Sequence, residues 1–211
     1  MCSVYVVVTW FICVAIIHLN VSALDSPYAS PEALIRPAII IFNPDNIIWP
    51  FNIADVTTPL IRKNENVILD QSYKQLKPFR QVSRLLAELH KLGHQLAVIS
   101  QCHDNQTVCD LLSFFHLNQF ISYREIYPGN ITEHVEAIYL KSEIDYGDML
   151  YLTDDYEKIA DMANLGMVCI LVGHQGVTMS DIKRGFHVFS TESPEYSYSE
   201  DTHESSYLHK E

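Results

Sequence analysis

Basic side chains are scarce in this chain. Lys and Arg number 14 against 26 Asp and Glu, a formal net charge of 14 − 26 = −12. A surface of that sign repels phosphate backbones and anionic lipids, which sets nucleic acid aside as a partner. The first 23 residues hold no Asp, Glu, Lys or Arg at all, and Val4 to Leu19 is almost continuously apolar. A run of about 16 residues falls short of the roughly 20 that span a bilayer, so no stable membrane span is expected. Val21-Ser22-Ala23 then offers small or branched residues where a signal peptidase reads. The pattern predicts a signal peptide over 1–23, cleaved after Ala23, and a secreted product, although the Lys or Arg that usually precedes the apolar run is missing. The alternative is an uncleaved, signal-anchored luminal form. No internal repeat is visible.

Cysteine is also sparse once that segment is removed. Cys102, Cys109 and Cys169 remain, an odd number that leaves at least one thiol unpaired within the chain. Cys169 lies in the apolar run Met167 to Val172 and reads as a small core residue. Cys102 and Cys109 would stand about 10 Å apart on one continuous helix, beyond disulfide reach, and can pair only if Cys102 precedes the helix. Asn105-Gln106-Thr107 and Asn130-Ile131-Thr132 match the N-glycosylation acceptor pattern, in keeping with the secretory route.

With 48% hydrophobic residues, 211 residues suffice for one domain with a sizeable core. Residues 24–36 read as a linker, 37–189 as the domain, and 190–211 as an acidic, disordered tail. Ala38 to Phe42 is apolar on both faces, as buried parallel strands are. Phe79, Val82, Leu85, Leu86, Leu89 and Leu92 recur at helical spacing, with Gly93 as a stop. Leu96 to Ser100 predicts a strand, and Val108, Leu111, Leu112 and Phe115 a second helix. Met149 to Leu152 predicts a further strand, Ile159 to Leu165 a helix ended by Gly166, and Met167 to Val172 another strand. The alternation predicts an α/β fold, a three-layer Rossmann-like parallel sheet, with ligands at the carboxyl ends of its strands. Residues 43–77 form a long connection, with Val67 to Tyr73 reading as part of a small hairpin lid. His103, His134 and His174 match no common zinc spacing and read as solvated surface.

The residues just beyond the strands are more telling. They are Asn43-Pro44-Asp45-Asn46-Ile47-Ile48-Trp49-Pro50-Phe51, Ser100-Gln101, Arg124-Glu125-Ile126-Tyr127-Pro128-Gly129, and Thr153-Asp154-Asp155. In their order and spacing they resemble the magnesium-dependent phosphatase 1 family of the haloacid dehalogenase superfamily, from about Pro37 to Phe189. That resemblance implies a haloacid dehalogenase-like fold and aspartyl-phosphate chemistry. One carboxylate attacks phosphorus. A second, two residues on, acts as general acid and base. A magnesium ion neutralises the phosphate oxygens, and a hydroxyl, an arginine and a lysine hold the group in transfer.

This chain departs from the pattern at several of those positions. By the resemblance, the nucleophile position is Asn43, the acid/base is Asp45, and the motif's threonine is Ile47. The phosphate-binding positions are Ser100, which keeps its hydroxyl, Gln101 in place of the arginine, and Ile131 in place of the lysine. The metal positions are Asn43, Asp45 and Asp154, with Asp155 a nearby substitute. A carboxamide is a poor nucleophile and a weak ligand for a hard cation. Deamidation offers no repair, because Pro44 has no N–H to attack the Asn43 side chain. The expectation is a secreted pseudophosphatase with weakened or lost magnesium binding, acting by binding a partner protein or a small phosphorylated ligand. The alternative is a residual magnesium-dependent phosphatase. In the bland reading Asp45 caps a turn, Ser100 ends a strand, Asp154 and Asp155 start a helix, and Trp49 and Phe51 pack.

Overall fold

The computed structural model describes residues 36–192. The expected signal peptide, nearly all of the linker and the tail beyond Glu192 lie outside the described residues. In chain order the strands are β1 (Ile39–Phe42), β2 (Ile61–Asn64), β3 (Val67–Leu69), β4 (Gln75–Leu76), β5 (Gln95–Ser100), β6 (Ile121–Ile126), β7 (Met149–Thr153) and β8 (Val168–Leu171). The helices are α1 (Val82–Lys91), α2 (Asn105–Phe114), α3 (Ile131–Ser142), α4 (Tyr156–Asn164) and α5 (Met179–Glu192).

β1 has every side chain buried, which suits only the centre of a sheet covered on both faces. It pairs in parallel with β5 and β7, Ile39 standing beside Gln95 on one side and Met149 on the other. The five-stranded sheet runs β6-β5-β1-β7-β8. The chain leaves β1 toward β5 and β6, then returns on the opposite side through β7. This reversal of direction is where such sheets open a crevice at their carboxyl edge.

Alternation along the strands divides the core into two layers. Ile40, Phe42, Val98 and Leu152 meet Leu85, Leu86 and Leu89 of α1, Leu111 and Leu112 of α2, and Ile182 of α5. Ile39, Ile41, Ala97, Ile99 and Tyr151 meet Ile131, Val135 and Ile138 of α3 and Met162 of α4. Each such fully buried aliphatic side chain contributes about 1.5–3 kcal/mol relative to exposure. α5 lies so close to the sheet at Gly185 that a Cβ there would sit 2.9 Å from Leu150 Cδ2. The layered α/β architecture is the one the apolar runs predict.

α1 is shorter than its periodicity suggests. Val82, Leu85, Leu86 and Leu89 are buried, but Leu92 is 58% exposed. Phe79 precedes the helix, and its N–H donates to Ile48 O at 3.0 Å. The hairpin expected at Val67 to Tyr73 is the central part of a larger feature, a three-stranded antiparallel sheet in the order β2-β3-β4. Ile68 and Leu76 anchor it in the first core layer. β6, α3 and α5 are elements that the apolar pattern did not reveal.

Candidate active-site cleft

Three strand ends meet at the carboxyl edge of the sheet. Beyond β1, the Asn43 N–H makes a last rung to Leu152 O of β7 at 3.2 Å, leaving its side chain at the cleft and the residue 8% exposed. The chain then turns sharply. Pro44 O accepts from Ile48 N at 2.8 Å, and Asn46 sits in the left-handed region at φ 57°, which asparagine tolerates better than most residues.

That turn fixes Asp45. Trp49 is fully buried, stacked on Phe51 at 5.5 Å and edge-on to Phe115 at 6.3 Å. Its indole Nε1–H donates to Asp45 Oδ1 at 3.0 Å, and the Ile53 N–H donates to Oδ2 at 3.2 Å. Burial pushes the Asp45 carboxyl above its ordinary range, while those two donors and the nearby Lys158 charge pull it back. Asp45 thus does hold a turn, and it also faces the cleft.

Beyond β5, Ser100 is 5% exposed, and Gln101 Nε2 donates to Gly129 O at 2.7 Å, tying two loops together. Beyond β7, Asp154 Oδ2 accepts from Asn46 Nδ2 at 2.8 Å. Asp155 caps α4, accepting from the Glu157 N–H at 3.0 Å, and pairs with Lys158 Nζ at 3.3 Å. Asn43, Asp45, Asn46, Asn52, Ile53, Ala54, the Ser100–Cys102 loop, Asp154, Asp155, Tyr156 and Lys158 enclose an open cleft of about 560 Å3.

The structure therefore brings Asn43, Asp45, Ser100, Gln101 and Asp154 to one cleft. Ile131 does not line it. That side chain is 4% exposed and lies in the second core layer with Ile39, Ile41 and Ile99. Asn105 opens α2 and Asn130 caps α3, and both are exposed. The strands of the small sheet supply none of the cleft lining; the turn Ile53–Asp55 before them does.

One expectation is corrected. His134 is fully buried rather than solvated. It stacks on Tyr127 at 4.1 Å, and its two ring nitrogens lie 2.8 Å from Asn130 O and 2.8 Å from Tyr127 O. It is a bolt through the turn that precedes α3. Cys102 lies in the loop before α2, yet Cys102, Cys109 and Cys169 are all free thiols. Burial pushes the Cys169 thiol up to about 12, so it stays protonated.

Lys158, Asn46 and Asn52 are cleft residues that sequence reasoning missed. For Lys158 a signal existed, since it lies three residues after Asp155 at a helix start, where such pairs meet. For Asn46 there was none, because its partner Asp154 is 108 positions away.

Comparison with known proteins agrees with this geometry. Residues 35–192 match the family described as Acid Phosphatase. Magnesium-dependent phosphatase 1 of Homo sapiens is 26% identical over 155 residues, 73% of this chain and 88% of that protein. A haloacid dehalogenase-like hydrolase superfamily protein of Schizosaccharomyces pombe is 22% identical over 143 residues, 62% of this chain and 83% of that one. Among solved structures, a haloacid dehalogenase-superfamily hydrolase from Ehrlichia chaffeensis superposes with a TM-score of 0.53 at 12% identity, covering 76% of this chain and 99% of that one. With its parallel sheet and its strand-end cleft, the chain belongs to the Acid Phosphatase family and is a haloacid dehalogenase-fold member similar to magnesium-dependent phosphatase 1.

Proposed function

We propose that this chain is a secreted pseudophosphatase, which holds a small phosphorylated ligand or a partner protein in its cleft without cleaving a phosphate ester. The observation that carries the reading is the carboxamide of Asn43 at the end of β1, where the family resemblance requires an attacking carboxylate. An amide has no anionic oxygen to attack phosphorus. Gln101 brings no positive charge, and the side chain of Ile131 is in the core.

The residues present do not fit a divalent cation. Magnesium takes near-octahedral charged or strongly polar oxygens. Here Asn43 is neutral, and both Asp45 carboxylate oxygens already accept hydrogen bonds. One Asp154 oxygen accepts from Asn46, which leaves Oδ1 without a donor among the described residues. That donor set supports the reading of weak or absent magnesium binding.

Secretion, with a mature chain beginning at Leu24, is supported by the uncharged apolar start and by the exposure of both acceptor asparagines. The residual-phosphatase reading has one observation in its favour. Asp45 is kept, and burial raises its carboxyl toward the range useful to a general acid. A magnesium-dependent assay on a generic aryl phosphate with purified mature protein decides between them. The expected rate is that of the buffer blank. Turnover that disappears in Asp45→Ala would establish the residual enzyme instead.

A further inference from the structure

Each of the three carboxylates facing the cleft is already supplied with a donor from the chain itself. Asp45 takes the Trp49 indole and the Ile53 amide. Asp154 takes the Asn46 carboxamide at 2.8 Å. Asp155 takes the Lys158 ammonium at 3.3 Å. Lys158 stands in the first turn of α4, its side chain 25% exposed. It lines the same cleft as Asp45, whose carboxyl its charge also reaches. The other polar side chains of the cleft floor are different. Asn43 and Ser100 are uncharged and line the same cleft at 8% and 5% exposure, with the Ser100 side chain hydrogen-bonded to Cys102.

We propose that Lys158 and Asn46 occupy the electrostatic place of a divalent cation, so that the cleft receives its ligand on Asn43 and Ser100 without a metal. The proposal rests on the pseudophosphatase reading and assigns the neutralisation of the cleft carboxylates to the chain's own donors. A divalent cation arriving at Asp154 would have to displace the Asn46 amide and lie in the field of a fixed ammonium. Repulsion between like charges in a cleft partly shielded from water is stronger than at an open surface. The ammonium needs no recruitment from solution, and α4, capped by Asp155, holds it in place. Lys158 is thus the residue that sets which class of ligand the cleft admits.

The test is calorimetric titration of the mature chain with Mn2+, which has no strong absorption and can be followed in parallel by its paramagnetic signal. Wild type should show no saturable binding at millimolar Mn2+. Lys158→Gln, and more so Lys158→Gln with Asn46→Ala, should gain at least about tenfold in affinity, roughly 1.4 kcal/mol. Lys158→Arg keeps the positive charge and should behave as wild type, which separates charge from loss of packing. Thermal melts should gain a metal-dependent rise only in the two neutralised variants. Micromolar Mn2+ binding by wild type would overturn the proposal, as would a Lys158→Gln protein that folds and still ignores the metal. The second result leaves the pseudophosphatase reading intact, whereas magnesium-dependent turnover by wild type removes that reading itself.

Discussion

Asparagine and aspartate have nearly the same shape, so Asn43→Asp tests charge with little change in packing. The new carboxylate would lie nine-tenths buried at a cleft that already holds Asp45, Asp154 and Asp155. Like charges at close range raise one another's pKa and disfavour ionisation. The variant is expected to lose about 1–3 kcal/mol of stability at neutral pH and to recover part of it on acidification, as read by melts at low and neutral pH. It should restore little turnover, because no arginine or clamp lysine stands behind the phosphate position. Ile131→Lys should not supply that clamp cleanly. It puts an ammonium where Ile39, Ile41 and Ile99 pack, and an unpaired buried charge costs several kcal/mol.

His94 carries a second pH signature at this scale. Its Nδ1–H donates to Pro37 O at 2.7 Å, and Nε2 is buried without a partner. Burial, with Arg36 repulsion added and the Pro37 bond opposing, lowers its pKa below 6.5. A histidine depressed in the folded state binds more protons when unfolded. Its stabilisation is present above pH 6.5 and is lost as pH falls through the folded pKa. Unfolding free energy should therefore drop on acidification from about pH 7, and His94→Leu should flatten that slope in denaturant titrations.

At the scale of elements, legibility followed apolar content, so that even the edge strand β8 was foreseen from Met167 to Val172. β1, β5 and β7 lie inside the sheet and announce themselves as apolar runs. β6 lies at the edge, where Ser122 and Arg124 face solvent, so its pattern is diluted. α3 places Ile131, Val135 and Ile138 on the core at helical spacing, but Thr132, Glu133 and Glu136 among them dilute the apolar pattern. In α5, Ile182 and Phe189 are buried seven residues apart with Gly185 between them, chosen for closeness to Leu150 rather than for helix propensity. The cleft was legible where its residues adjoin strand ends, as with Asn43, Ser100 and Asp154. It was illegible where a side chain reaches across, as with Asn46.

The turn before α3 has its own test. His134→Ala removes the ring-nitrogen contacts to Asn130 O and Tyr127 O and a stacked ring from a fully buried site. The expected loss is about 2–4 kcal/mol, with faster amide exchange over Tyr127 to Ile131. Gly176 has a comparable role opposite α1. At φ +70° a Cβ would stand 2.2 Å from the Phe79 ring. Gly176→Ala should cost about 1–2 kcal/mol for the left-handed backbone and about 1–3 kcal/mol for overpacking, measured by chemical denaturation.

For the whole molecule, the proposed route through the secretory pathway has a direct consequence at Asn105 and Asn130. Both are exposed at helix starts, so material from eukaryotic cells should carry glycans and shift on a gel after glycosidase treatment. The Asn130 glycan would rise beside the Tyr127 to Gly129 turn to which Gln101 is tied, at the rim of the cleft. Mass spectrometry of the same material should find Leu24 first; Met1 recovered in a membrane pellet would reject cleavage.

The chain has two tryptophans, Trp10 and Trp49, and the proposed processing removes the first. A secreted molecule would then own a single indole chromophore, wholly shielded from water and joined by its N–H to the carboxylate at the cleft wall. Its emission should be blue-shifted at rest, and it should change in wavelength or be quenched when a guest enters. The protein would thus carry its own optical gauge of occupancy, and candidate guests can be screened in a fluorimeter without attaching a dye.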